Sequence, residues 1–201
     1  MSPSISAKDH PFTERIAAAL STRTPARAER DEPYKEAAVA LVLVPRASDD
    51  ADLLLIRRAT RDGDPWSGQI GLPGGLLSPG DRSLEEAAIR ETMEEVGLDL
   101  QAAGLVLGAL DELRPRTPVL PPIIVRPIIA VIDAVRPLIL SDEVAEVRWV
   151  RLSEIFRPDG RVRTEVVARN FRMQVEAYQV ADFTIWGMTE RILSGFEALL
   201  R

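Results

Sequence analysis

The stretch GLPGGLLSPGDRSLEEAAIRETMEEVGL, Gly71 to Leu98, decides how this chain is read. Its second half, RETMEEVG (Arg90–Gly97), holds Glu91, Glu94 and Glu95 within five residues, with one Arg and no Lys to balance them. Ser83 stands before the periodic run as an N-cap and Gly97 stops it, so the pattern predicts a helix from about Ser83 to Val96. On a wheel of about 100° per residue, Ile89, Thr92 and Val96, with Met93 beside them, make the core-facing stripe. Glu91, Glu94, Glu95 and Ala87 fall on another arc with Arg90 at its edge, so the three carboxylates are expected on a face that is not the core face. Like charges at this spacing cost roughly 0.2–0.5 kcal/mol per pair. Taken alone, the cluster reads as a solvated acidic face. The PGG turn at Pro73–Gly75 points further, because glycine lets a backbone come close to another group and carboxylates beside such a turn suit a hard divalent cation such as Mg²⁺.

Working outward, AAVALVLVP (Ala37–Pro45) and DLLLIRRA (Asp52–Ala59) are apolar runs of strand length, joined by the polar turn RASDD as a hairpin. A loop dense in Gly, Pro and Asp, RDGDPWSGQIGLPGG, leads to the predicted helix. Strands are expected around Val106, over Ile123–Ile132 and over Val144–Val150, with a proline-stiffened loop at Leu113–Pro122 as a specificity element. Alternation returns in MQVEAYQV (Met173–Val180), then FTIW, and a terminal helix runs from about Gly187 to Leu200 with Met188, Ile192, Phe196 and Leu199 on one face. Residues 1–35 form a polar lead with one short helix around Phe12 to Leu20, and 36–201 form one domain. The order of elements gives the α+β or α/β class, a mixed sheet with helices packed on it.

With 201 residues, 46% of them hydrophobic, the chain can bury one sizeable core. The net charge of −6 supplies no basic field for nucleic acid or anionic membrane. There is no cysteine, which removes disulfides and thiolate chemistry, and the single histidine, His10, sits in the polar lead. Histidine zinc sites and serine–histidine triads are therefore not expected. The start lacks an apolar signal core, and Val119–Leu140 is broken by Arg126, Asp133, Arg136 and four prolines, so no membrane span is expected and the protein is read as cytoplasmic. There is no G-x-x-x-x-G-K-[ST] loop, and Lys8 and Lys35 are the only lysines.

The quoted stretch resembles the signature box of Nudix hydrolases, G-x5-E-x7-R-E-U-x-E-E-x-G-U with U apolar. Gly75 matches the first Gly, and Arg90, Glu91, Glu94, Glu95, Gly97 and Leu98 match the second half. Asp81 stands where the first Glu belongs, one extra residue lies between it and Arg90, and Thr92 fills the first U position. The resemblance implies an α/β/α sandwich that hydrolyses nucleoside diphosphates linked to another group, with Mg²⁺ or Mn²⁺ as cofactor. It implies Glu91, Glu94 and Glu95 as metal ligands, one of them a general base, a further ligand from the Gly75 carbonyl, and Arg90 orienting the glutamates. A Nudix-like domain that binds a nucleotide without cleaving it is the competing class.

LLLIRRA followed by GQIGLPGG is similar to the extra motif of the coenzyme A pyrophosphatase branch, L-L-T-x-R-[SA]-x3-R-x3-G-x3-F-P-G-G. Leu54, Leu55, Arg58, Ala59, Gly68, Pro73, Gly74 and Gly75 fit, with one extra residue between Ala59 and Gly68. Asp64 occupies the second Arg position, with Arg61 nearest to it, and Leu72 replaces Phe. SDEVAEVRWVRLSEI (Ser141–Ile155) and IWGMT (Ile185–Thr189) also resemble that branch. Coenzyme A or its thioesters are the expected substrates, with ADP-ribose or another nucleoside diphosphate derivative as the alternative. Arg57, Arg58 and Arg61, with Gly74 and Gly75, are the candidate substrate contacts; the arginines equally suit a sheet edge or pairing with Asp62 and Asp64. Glu143 is the candidate further metal ligand, with Glu146 and Glu112 behind it and surface salt bridges as the alternative. Trp66 is read either as a stacking partner for a base or as a loop pin.

Overall fold

The computed structural model describes residues 6–31, 33–47, 49–64, 66–115, 122–168 and 171–201. A short 3-10 turn, Ala7–Asp9, leads into α1 (Pro11–Ser21). Proline opens α1 because its missing N–H would be unpaired there anyway. His10 caps it, its Nδ1 accepting from the Phe12 amide at 3.2 Å, so the only histidine serves a helix end. Then follow β1 (Lys35–Pro45), β2 (Ala51–Arg58), β3 (Ile70–Gly71), β4 (Gly74–Leu76), α2 (Leu84–Val96) and α3 (Leu100–Ala103). The chain continues through β5 (Gly104–Ala109), β6 (Ile123–Ile132), β7 (Val144–Arg151), α4 (Leu152–Ile155), β8 (Arg161–Ala168), β9 (Phe171–Val180), β10 (Phe183–Trp186) and α5 (Met188–Leu200).

The main sheet is seven-stranded and mixed, with the path β3-β2-β1-β6-β5, β4 added against β1 and β7 against β2. β1 runs parallel to β6 from Lys35↔Ile123 to Leu43↔Val131, while its pairings with β2 and β4 are antiparallel. Strands buried on both faces need apolar residues at every position, which is why β1 and β2 read as unbroken apolar runs. One face of the sheet (Ala38, Ala40, Val42, Leu54, Ile56) packs under α2 and α3. The other (Leu41, Leu43, Leu53, Leu55) packs against α1, α5 and strands β9 and β10. The result is the expected α/β/α arrangement. Among the described residues no helix is long and apolar enough to cross a membrane.

The short helix of the 1–35 lead contributes to the core, with Phe12 and Ile16 fully buried beside α5. Two expectations need correction. A single sheet was expected, but β8, β9 and β10 form a second, three-stranded antiparallel sheet. On α2, Ala87 and Ala88 are buried while Met93 is exposed, so the packed stripe is rotated from the one the wheel assigned. Of the loop Leu113–Pro122, residues 116–121 lie outside the described residues; Leu113 forms an isolated bridge to Val125.

Candidate active site

A cleft of about 650 Å³ opens beside β4 and the C-terminal half of α2. β4 is fixed by its register on β1, Ala38↔Gly75 and Val39↔Gly74. Gly74 has φ 152°, and a Cβ there would lie 2.5 Å from the Val39 Cα, so no other residue fits this approach of two strands. A Cβ on Gly75 would lie 2.5 Å from the carboxyl carbon of Glu91. The PGG turn therefore forms a shelf on which the helix glutamates rest.

The Ser83 hydroxyl accepts from the Glu86 amide, and Gly97 closes α2 in the left-handed conformation, as predicted. Arg90 is the organiser of the acidic wall. It donates to both Asp81 carboxylate oxygens at 3.0 Å, to Glu91 Oε1 at 2.9 Å, to Glu94 Oε2 at 3.0 Å and to the Leu76 carbonyl at 3.0 Å. Asp81, which departs from the Glu of the signature box, is thus one jaw of the clamp on Arg90, and that arginine holds its carboxyl below the ordinary range. Glu94 is exposed, whereas burial pushes the Glu91 carboxyl up against the opposing pull of Arg90.

Glu95 overturns the expectation that all three carboxylates avoid the core. It is only 3% exposed, and its Oε2 accepts from the Gly74 amide at 2.9 Å. Burial pushes its carboxyl up to about 7, in spite of that hydrogen bond and of Arg58, whose Nη1 lies 3.8 Å away. The three glutamates share one wall of the cleft without closing on a point: among the described residues no group of three acidic or imidazole side chains does so. Their chemistry nevertheless fits a hard cation. The donors are oxygens only, two of them are pushed toward protonation by burial, and Glu91 lies in a cradle that any side chain at position 75 would fill.

Glu143 reaches the cleft on the loop after β6. That loop is stitched to the end of α2 by Ile139 N–H to the Val96 carbonyl at 3.0 Å and Ser141 N–H to the Glu95 carbonyl at 2.9 Å. Glu143 accepts from Arg61 Nη1 at 3.0 Å, and Asp142 accepts from Arg61 Nη2 at 3.0 Å. Glu146 and Glu112 lie elsewhere: Glu146 pairs with Arg57 and Arg148, and Glu112 with Arg30 and Arg126.

The three candidate arginines separate. Successive strand residues point to opposite faces, so Arg58 lines the cleft while Arg57 does not. Arg57 donates to Glu146 at 3.0 Å and Asp182 at 3.1 Å, and covers the Phe183 ring. It borders, with Arg61, a second cavity outside the cleft. Arg58 is itself held by Asp64 at 2.9 Å, and the other Asp64 oxygen accepts from the Trp66 amide at 2.9 Å. Trp66 lines the cleft together with residues that sequence reasoning did not assign to it: Lys35, Gln69, Met188 and Thr189. Ala37, Ile123 and Val125 form an apolar floor against which Trp66 and Met188 pack.

Residues 34–171 match the NUDIX domain. The chain is 30% identical over 165 residues to an uncharacterized Nudix hydrolase, NudL, of Pectobacterium atrosepticum, covering 80% of this chain and 82% of that one. It is 30% identical over 158 residues to the peroxisomal coenzyme A diphosphatase ndx-8 of Caenorhabditis elegans, covering 77% of this chain and 64% of that protein. An uncharacterized Schizosaccharomyces pombe protein is 30% identical over 159 residues, and the chain spans about half of it, 48%. Among solved structures, a MutT/nudix family protein from Enterococcus faecalis superposes with TM-score 0.57 at 21% identity, covering 93% of this chain and 69% of that one. A C. elegans Ap4A hydrolase superposes with TM-score 0.56 at 19% identity, covering 83% and 97%. At these identities the two structures speak for the fold.

Proposed function

The chain belongs to the NUDIX family, and from that premise we propose that it hydrolyses the diphosphate bond of nucleoside diphosphate derivatives, with coenzyme A or its thioesters as the preferred substrates. The observation that carries the hydrolase reading is the shelf and wall just described: Glu91 laid on Gly75, Glu95 hydrogen-bonded to the Gly74 amide, and Arg90 bridging Glu91 and Glu94. A surface acidic patch has no need of a buried glutamate on a glycine amide.

Glu91, Glu94 and Glu95, with the Gly75 carbonyl and Glu143, would hold a divalent cation, Mg²⁺ or Mn²⁺. When bound, such a cation neutralises charge on phosphate oxygens and lowers the pKa of a water ligand. The chain's own residues do the rest. Arg90 fixes the rotamers of Glu91 and Glu94 before substrate arrives, so little reorganisation is left to the reaction. One of the glutamates takes the proton of the attacking water. Water adds to one phosphorus and the bridging P–O bond breaks, which from coenzyme A yields 3′,5′-ADP and 4′-phosphopantetheine.

The coenzyme A assignment is supported by the LLLIRRA…GQIGLPGG motif and by the relative bearing that activity. A second reading, ADP-ribose or another derivative with a single phosphate chain, is favoured by one observation: Asp64 replaces the second arginine of that motif and engages Arg58. The test is initial-rate hydrolysis of coenzyme A, ADP-ribose, NADH and dinucleoside polyphosphates with Mg²⁺ and with Mn²⁺. Coenzyme A should give the highest kcat/KM. A higher value for ADP-ribose selects the second reading, and metal-dependent binding without product release selects a regulator.

A further inference from the structure

Building on the hydrolase reading, we propose that Lys35 is a specificity-determining residue that receives a second anionic group of the substrate, a phosphomonoester, at the end of the cleft opposite the glutamates. Strand β1 carries both ends. Val39 and Ala38 are paired with Gly74 and Gly75, on which the glutamates rest. Lys35 lies four residues earlier on the face that Val39 occupies, roughly 13 Å away at about 3.3 Å of strand rise per residue. The ground between is apolar. Ala37 separates the two ends on β1, and the β6 residues in register with Lys35 and Ala37 are Ile123 and Val125. All three are buried, with Trp66 and Met188 packed against them.

The cleft thus has an acidic, cation-attracting end, an apolar middle flanked by an indole, and a cationic end. A diphosphate alone does not span it. A diphosphate joined to a nucleoside that bears a further phosphate does, with the base on the apolar floor beside Trp66.

The charge ledger singles out Lys35. Among the described residues the other cation lining the cleft is Arg58, which is bonded to Asp64, and the nearby Arg61 is bonded to Asp142 and Glu143. Among the described residues no carboxylate is paired with Lys35, whose side chain is exposed. An anion arriving there breaks no existing ion pair, and a lysine offers a mobile point charge that follows a phosphate. Asp64 neutralises the arginine that the motif would otherwise present, so discrimination for a second phosphate passes to the opposite end of β1.

The experiment compares coenzyme A with 3′-dephospho-coenzyme A in the wild type, Lys35→Gln and Lys35→Arg. The wild type should prefer coenzyme A. Lys35→Gln should lower the ratio of kcat/KM values, coenzyme A over the dephospho form, by about tenfold, through KM rather than kcat, and Lys35→Arg should restore most of it. An unchanged ratio in Lys35→Gln overturns the assignment, as does a wild type indifferent to the 3′-phosphate. If the wild type cleaves neither compound, the substrate reading fails, and Lys35 is judged by calorimetry with 3′,5′-ADP and 5′-AMP. Tighter binding of 3′,5′-ADP that disappears in Lys35→Gln upholds the assignment; equal binding of the two, or a preference that persists in Lys35→Gln, overturns it.

Discussion

Glu95 and Glu112 are both buried glutamates near arginine, at 3% and 8% exposure, and they are pushed in opposite directions. Burial drives both carboxyls up. For Glu112 the rise is overwhelmed by Arg30 at 2.9 Å, Arg126 Nε at 3.0 Å and the Ala28 amide at 2.9 Å, which bring it down to about 2. For Glu95 a single amide and an arginine at 3.8 Å do not offset burial, and it stands at about 7. The difference is one of completed partners. Glu112 joins the N-terminal lead, through Arg30, to β6, through Arg126, as a closed knot. Glu95 is held in place by the β4 amide with its charge left largely unmet, the condition a functional carboxylate needs and a structural one avoids.

The sharpest way to break the comparison is to neutralise each carboxylate in turn. Glu95→Gln keeps the shape and the acceptor for the Gly74 amide but removes the charge. Turnover should fall roughly 10²–10⁴-fold, with the melting temperature unchanged or higher because a poorly compensated buried charge is gone. Near-normal kcat would sink the role given to this residue. Glu112→Ala does the reverse, leaving two guanidiniums and an amide without their acceptor. Its cost should be about 3–5 kcal/mol in urea unfolding, with kcat of the folded protein retained. A loss below 1 kcal/mol would mean the knot is no tighter than a surface pair.

pH reads the same contrast more gently. Glu112 is depressed in the folded chain, so its stabilisation is complete above the ordinary carboxylate range and is lost as pH falls through that range toward about 2. The amount is on the order of 3 kcal/mol. Glu95 is raised, so its contribution is present at acid pH and declines as pH climbs toward about 7. In chelator-treated protein, Glu112→Gln should flatten the acid limb of the urea midpoint and Glu95→Gln the limb between about pH 4.5 and 7. Parallel curves for wild type and both variants would contradict the assignment of these limbs.

Local rules account for much of what could be read beforehand. The caps of α2, the β1–β2 hairpin and the doubly covered strands announce themselves through Ser83, Gly97 and unbroken apolar runs. Glu95 was misread because a wheel knows only its own helix: its burial is imposed by β4, a strand of three residues that exists through pairing with β1. Ala87 and Met93 follow the same logic, since small residues lie where the sheet comes close. The strand β8 carries its own signal, with Arg161, Arg163 and Glu165 alternating against Val162, Thr164 and Val166. Lys35 could not have been placed, because its role depends on which residues of β6 lie beside β1, a pairing across nearly ninety positions.

Arg57 and Arg58 extend the comparison to the surface, and here the expected effect is smallest. Strand alternation alone sends them to opposite faces, a reading available from the sequence once β2 is recognised. Arg57 meets two carboxylates, as Glu112 meets two arginines, but its partners Glu146 and Asp182 remain 35% and 62% exposed. Water screens such pairs, so Arg57→Ala should cost only about 0.5–1 kcal/mol, part of it the stacking on Phe183 at 4.7 Å. Because the side chain lies outside the cleft, kcat/KM should change by less than about twofold. Arg58→Ala, one residue on, removes the cation nearest Glu95 and frees Asp64, and should lower kcat/KM by clearly more than Arg57→Ala. A larger activity loss from Arg57→Ala would mean that the basic patch acts as one unit across both faces of β2, and the separation of the two arginines would have to be abandoned.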